Sequence, residues 1–432
     1  MHQPLRKSQL RKLFALLCLL SFTLCIWAGA IPNQSLKAQT QTAQRQPSQT
    51  LVETGFTQYQ SGDYQGAIAT WQQALPNIET DNLTHQSILL ENLARAHRQI
   101  GHFSEEISYW EQAISRHQKR GDLQSLGRVL TEQAQAYSRL GQYRRAIALL
   151  CGNPTRDETT NDSAIDHATI SVEPISSGAM DACTADSALH IARALTDTRG
   201  EAAALASLGE TYRLTGDYEQ ALTLLNQSLP IIETALDNPV YQATVLNSLG
   251  NTHSALAQVS TRRATSATQR GDMQQANDLT SKANNDVQSA ITLLQSSATI
   301  AQSNNIVSTQ VRSQLNLIPL YQRIEQTDTA QQTWQSTRQL LVTLPDSQSK
   351  AFDTITLAGY LAPHSQNRQC PATGIADQQT QLLESAIGIA KTIQSPRAES
   401  FALGQLGNLY ERCGNYSQAL SLTQAARIAA DQ

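Results

Sequence analysis

Residues able to do covalent or metal chemistry are few in this chain and poorly grouped. His97 and His102 stand five apart across an expected helix–turn junction, a spacing that does not put two side chains on one helix face. They read as surface or turn histidines rather than ligands. No Cys-x-x-Cys or close Cys/His spacing offers a zinc site. No P-loop, His-Glu-x-x-His, Gly-x-Ser-x-Gly, EF-hand loop or strand-led Gly-x-Gly-x-x-Gly occurs, and the GQLGN of Gly404 to Asn408 falls inside a helical pattern. The expectation is a protein with no catalytic residue, no metal and no cofactor, and not an enzyme. The net charge is −4, and setting aside Arg6, Lys7, Arg11 and Lys12 leaves about −8, which argues against nucleic acid as the ligand.

Those four cations precede an apolar stretch, Leu13 to Trp27, and the small residues Ala28, Gly29 and Ala30. This is the pattern of a secretory signal peptide. The stretch is shorter than the ~20 residues a spanning helix needs, so residues 1–30 are expected to be removed near Ala30, an uncleaved anchor being the alternative. Cys18 and Cys25 lie inside it without Gly or Ala just before them, which disfavours a lipid-anchored cysteine. Residues 31–47 are rich in Gln, Thr and Ser with almost no large apolar side chain, and read as a flexible tether. The expected destination is periplasmic or extracellular, with no membrane contact beyond export.

What organises the remainder is repetition. At 432 residues the chain exceeds what one hydrophobic core supports, and after residue 50 a short phrase returns. It reads GDYQGAIATWQQAL from Gly62, GHFSEEISYWEQAI from Gly101, GQYRRAIALL from Gly141, GDYEQALTLLNQSL from Gly216 and GNYSQALSLTQAA from Gly414. Ahead of several copies stands a partner phrase, SLGETYRLTG around Gly209 and QLGNLYERCG around Gly407, with a weaker NLARAHRQIG around Ala94 and a shorter SLGNTH at Gly250. The unit is helix, short turn, helix. The glycine after Leu208 or Leu406 lets two helices approach, and Tyr212 or Tyr410 fills the space beside it. Ala67, Ala146, Ala221 and Ala419 set the close contact of the second helix, where Glu106 in the second unit is expected to make a looser or shifted one.

This Leu-Gly-x-x-Tyr, Gly-x-Tyr-x-x-Ala pattern resembles the tetratricopeptide repeat (TPR) family, and the resemblance covers nearly all of residues 48–432. It implies an all-α, right-handed superhelical solenoid of about eight helix pairs. Units begin near residues 48, 87, 127, 202, 243, 311, 351 and 400, a period of about 40 against the usual ~34. The units at 311 and 351 match least well. Insertions fall near 151–184, 259–285 and 364–378. The first is polar, with Pro154 and Pro174, and reads as a surface loop; the second reads as a projecting helical extension, because GDMQQANDLTSKA from Gly271 faintly repeats the second-helix phrase.

Four cysteines remain beyond the signal segment, and an even number in an exported chain suggests disulfides. Cys151 and Cys183 sit at the two ends of the first insertion, where the interrupted helix leaves and resumes, which favours that pair. Cys370 with Cys413 follows by elimination; the other connectivities and free thiols stay open.

In the family that the chain resembles, the first helices line a concave groove that holds an extended peptide or a partner helix. By register, the residues one turn either side of the Leu-Gly step face that groove: Glu91, Arg95, Arg98, Arg128, Gln135, Arg139, Glu210, Arg213, Asn247, Asn251, Asn408 and Arg412. Family grooves use Asn for peptide backbone and cations for carboxylates, roles that Asn247, Asn251, Arg95 and Arg128 match. An acidic or C-terminal peptide fits such recognition. A solvated helix face is the plain alternative for any one of these residues. Trp71, Trp110 and the recurrent tyrosines read as core contacts.

The expected function is an exported, non-catalytic scaffold that binds a protein or peptide. One alternative is a regulatory repeat region of, or partner for, a caspase-like CHAT protease, because bacterial exported proteins with a signal peptide, a Gln-rich tether and long repeats look similar. A second alternative is self-association by end-to-end stacking, suggested by a final unit without an obvious polar capping helix.

Overall fold

The computed structural model describes residues 49–152, 183–361 and 370–431, all within one compact unit, Ser48–Gln432. The signal segment, the whole tether, most of the 151–184 insertion and part of the 364–378 insertion lie outside the described residues. Every regular element among the described residues is helical. The helices pair in chain order: α1 (49–61) with α2 (Tyr64–Ala74), α3 (Leu83–Ile100) with α4 (Phe103–Arg120), and α5 (Leu123–Arg139) with α6 (Tyr143–Cys151) and α7 (Ala188–Ala194). Then come α8 (Thr198–Thr215) with α9 (Tyr218–Ile231), α10 (Pro239–Gln269) with α11 (Met273–Ser303), and α12 (Val307–Arg323) with α13 (Thr327–Thr343). The last pairs are α14 (Gln348–Gly359) with α15 (Thr373–Thr392) and α16 (Pro396–Arg412) with α17 (Tyr416–Ala430). The fold is the all-α solenoid of about eight helix pairs that the repeat implies.

The turn inside a pair follows from two adjacent residues. A glycine in the left-handed region stops the first helix, as at Gly62 (φ 86°), Gly216 (φ 90°) and Gly414 (φ 77°). The next residue, Asp63, Asp217 or Asn415, then accepts a hydrogen bond from a backbone N–H in the first turn of the second helix. His102 and Gln142 occupy this capping place in α4 and α6 and make no capping bond. Outside the glycine phrase, Asn305 (φ 56°), Glu325 (φ 62°) and Gln394 (φ 54°) take the left-handed conformation themselves. Glu325 and Gln394 turn the chain inside the sixth pair and between the last two, which is why this stretch of the repeat is faint in sequence.

The small residues do what their size allows. A Cβ on Gly209 would sit 2.8 Å from the Leu225 side chain and 3.2 Å from the Ala221 carbonyl; on Gly250 it would sit 2.6 Å from Leu294. Both glycines mark the crossing of the two helices of a pair. Ala67, Ala146 and Ala221 are completely buried on the other side of such crossings, and Trp71 and Trp110 are core residues as expected. Glu106 departs from the reading: its contact is not loose, because the side chain is fully buried beneath two arginines.

The insertions are absorbed in different ways. The 259–285 segment lengthens both members of the fifth pair, so that α10 and α11 are 31 residues each and turn at Gly271. In the third pair the second helix is broken into α6 and α7. Its ends are joined by the Cys151–Cys183 disulfide, Cα–Cα 4.5 Å, and by the Thr184 N–H donating to the Cys151 carbonyl at 2.9 Å. Cys370 and Cys413 form the second disulfide, tying the start of α15 to the end of α16.

Candidate functional site

The polar residues that carry the site reading stand on the first helices. Side chains on α3, α5, α8, α10, α12 and α14 join these helices laterally: Arg98 to Glu132, Gln135 to Ser207 (2.9 Å), Ser138 to Thr211 (2.9 Å), Asn316 to Asn247 (3.1 Å) and Arg312 to Ser349 (2.9 Å). These bonds form two runs, α3–α5–α8 and α10–α12–α14, and within each run the first helices present a polar face held from one to the next.

At the N-terminal end of that face the arginines converge on carboxylates. One Glu106 oxygen accepts from Arg98 (3.0 Å), Arg139 (2.6 Å) and the Trp110 indole (3.3 Å), while Arg98 also bonds Glu132. Arg95 donates to Glu91 at 2.9 Å, and both the Arg95 and Arg98 guanidiniums lie over the Trp110 ring, 5.4 and 5.9 Å from its centre. Burial, with the neighbouring Arg98 charge added, lowers Arg139 to about 10, so it remains charged at neutral pH. Burial acts against the charge of Arg98 and Glu132 as well, but their mutual pairing wins, raising Arg98 and lowering Glu132.

The other sequence-selected residues are dispersed along the stack. Arg128 makes a bidentate pair with Asp197 at 2.8 and 2.7 Å, which, against burial, holds Asp197 below the usual carboxylate range. Glu210 and Arg213 pair with each other at 2.7 Å. Asn247 accepts from Asn316 and Ser313, Asn251 is half-buried, and on α16 Arg412 is half-buried and Asn408 exposed. Of the twelve, only Glu91, Arg95, Arg98 and Arg139 come together in one network. Glu106 and Glu132, the acids that organise it, are not among the groove residues that register selects. The signal for the first is its charge, where the repeat otherwise places alanine; Glu132 carries none.

A second cluster lies where residues from the two ends of the described stack touch. Ile393, after α15, belongs to the apolar cluster of Tyr64, Trp71, Leu93 and Ile100. His102 Nε2 is 3.0 Å from the Gln394 carbonyl oxygen, the Arg397 guanidinium lies 5.7 Å over Phe103, and Arg397 donates to the Arg139 carbonyl. Next to this seam His97 is buried, not at the surface, and its ring stacks on Tyr109 with centres 5.2 Å apart. The left-handed turn at Gly101 reverses the chain and brings His102 back to 5.8 Å from His97, which a count along one helix could not show. Burial, and secondarily His102, pushes His97 down to about 4, so its ring is neutral near pH 7.

This architecture defines a helical-repeat solenoid with a polar first-helix face. The tetratricopeptide repeat family matches within it, at residues 204–239 and 402–428. No protein of curated function matches the sequence. Among solved structures the chain is similar to the quorum sensor NprR from B. thuringiensis in its apo form, at 10% identity and a TM-score of 0.49, over 98% of this chain and 94% of that one. It is similar also to a Rap protein complexed with competence and sporulation factor, at 11% identity and TM-score 0.48, over 89% and 97% of the two chains. A kinesin light chain of nearly identical TPR-like repeats from Podosopora anserina aligns at 19% identity and TM-score 0.35, over 52% and 93%.

Proposed function

We propose that the chain is an exported, non-catalytic scaffold that holds an extended segment of another protein along the polar face of its first helices. The observation that carries this reading is the lateral ladder, Arg98–Glu132, Gln135–Ser207, Ser138–Thr211 and Asn316–Asn247, which fixes donors and acceptors in a row before any partner arrives. A peptide backbone presents matching groups at regular intervals. Arg95 and Arg128, with side chains 38% and 43% exposed, are the cations that reach solvent beside this row and would receive an acidic side chain or a terminal carboxylate. The two disulfides support an oxidising compartment, in keeping with the signal-like first 30 residues.

The test uses residues 31–432 to retain partners from an extract of exported proteins, maps the retained segment, and measures a synthetic copy by fluorescence anisotropy. Arg95→Ala should weaken that peptide at least about tenfold, the size of one lost charge-assisted contact. An unchanged affinity overturns the assignment of this face. Arg98, Arg139 and Arg128 are unsuitable probes, because the first two hold the buried Glu106 and the third the buried Asp197. A second reading, self-association, is favoured by Tyr416, Leu420 and Ile428, exposed and spaced along α17. Light scattering across concentration decides it, since a constant monomer mass rules it out.

A further inference from the structure

We propose that His97, His102 and Glu105 form a binding site for a divalent transition-metal ion of the zinc class. Each contributes one ligand atom, and the three atoms lie within 4.8 Å of one another. Ligands about 2.0–2.2 Å from a tetrahedral ion are about 3.4 Å apart, so modest side-chain rotation completes the geometry. Two imidazoles and a carboxylate suit zinc or copper better than magnesium or calcium, and three protein ligands leave a fourth position for water.

Two independent observations point to a ligand here. First, His97 is only 5% exposed, yet neither ring nitrogen has a hydrogen-bond partner. Buried polar atoms are nearly always paired, and a neutral imidazole with an unused lone pair is what a metal requires. Second, His102 occupies the helix-capping place that Asp or Asn fills in other pairs but makes no capping bond. Its Nε2 faces the Gln394 carbonyl at 3.0 Å, and a carbonyl can only accept, so Nε2 carries the hydrogen and Nδ1 keeps the lone pair. A metal-bound histidine usually donates its other N–H to a carbonyl in this way. Glu105, exposed in the first turn of α4, supplies the oxygen ligand from the solvent side.

The position gives the site a consequence. Through His102 and Gln394 the ion would brace the α3–α4 turn against the α15–α16 turn, which belong to the second pair and to the last two. Metal occupancy would then stiffen the contact between the two ends of the stack.

The full chain, stripped with EDTA, is titrated with ZnCl2 by calorimetry and with Co2+ by visible absorption. The expected result is one equivalent bound with a tetrahedral-type Co2+ band, an affinity lowered at least about tenfold by Glu105→Gln and by His102→Asn, and no change in His85→Gln. Zinc should also raise the melting temperature of the wild-type chain and not of the Glu105→Gln chain, whose exposed side chain can be changed without loss of fold. The absence of a stoichiometric site, or zinc binding equally well in both variants, overturns the proposal.

Discussion

Replacing Glu106 by Ala tests the central physical claim about the N-terminal network. In the repeat phrase this position is alanine, so a reading by pattern alone makes Glu106→Ala neutral or stabilising, with a few tenths of a kcal/mol gained from helix propensity. The structure implies the opposite. Glu106 is fully buried, and one of its oxygens takes hydrogen bonds from Arg98, Arg139 and Trp110. Removing it leaves the Arg139 guanidinium, already lowered by burial, without the carboxylate that accepts its hydrogen bond. Breaking a buried pair from one side costs about 3–5 kcal/mol, so a net loss of roughly 3–4 is expected. Because repeat stacks unfold in parts, the loss is read locally, from Trp110 fluorescence during urea unfolding and amide exchange in α3–α5. With a slope of about 2 kcal/mol per molar urea, the midpoint falls by roughly 1.5–2 M. Arg139→Met in the same background should recover part of it, since the uncompensated cation is then gone. A midpoint unchanged or raised in Glu106→Ala refutes the argument.

Three further outcomes follow from particular contacts. Gly209→Ala should lower thermal stability by about 1–2 kcal/mol, because its Cβ would press on Leu225 and the Ala221 carbonyl, whereas Gly404→Ala, with open space around it, should raise stability by roughly 0.5–1 kcal/mol. Melting curves of the two variants should therefore shift in opposite directions. Replacing Cys151 and Cys183 by Ser, which opens a link 32 residues apart, should cost roughly 3–4 kcal/mol in the chain-entropy picture, as measured by urea unfolding under oxidising conditions. Asp353 is raised from 3.8 to about 6 by burial, with Arg312 opposing, so the native state holds its proton more tightly than the unfolded one. Its destabilising charge is absent below about pH 4, grows as pH rises to 6 and stays constant above; Asp353→Asn should remove a loss of about 3 kcal/mol, seen in melting temperature against pH.

Much of the fold was legible because the repeat phrase is local chemistry. A left-handed glycine followed by Asp or Asn stops one helix and caps the next, and Gly209, Gly250 and Ala221 report the helix crossing wherever they occur. The Cys151–Cys183 pairing was legible for the same reason: the ends of an insertion within one helix must lie close together. The site was less so. Register placed the arginines on the first helices but could not show that Arg128 meets Asp197, 69 residues away, or that Arg98 and Arg139 share Glu106. Contacts from Ile393 and Gln394 back to the first pairs depend on how every intervening pair stacks, and no window of sequence carries that sum.

These contacts divide the basic residues by task, and the division bears on function. A guanidinium committed to a buried carboxylate, as Arg98 and Arg139 are, gives shape to the face and offers a partner little. Arg95 pairs with Glu91 nearer the surface, so exchanging that partner for an incoming carboxylate costs far less, and Arg128, although held by the buried Asp197, keeps a side chain exposed enough to be shared with one. Asn251 and Asn408 stand on α10 and α16, apart from Arg98, Arg139 and Trp110, the residues that bond Glu106. Recognition on this face would therefore rest on a few solvent-reaching cations and amides set on a stiff internal frame. The seam bears on the same stiffness: a frame whose two ends touch through His102, Gln394 and Arg397 can change its curvature only by breaking those bonds.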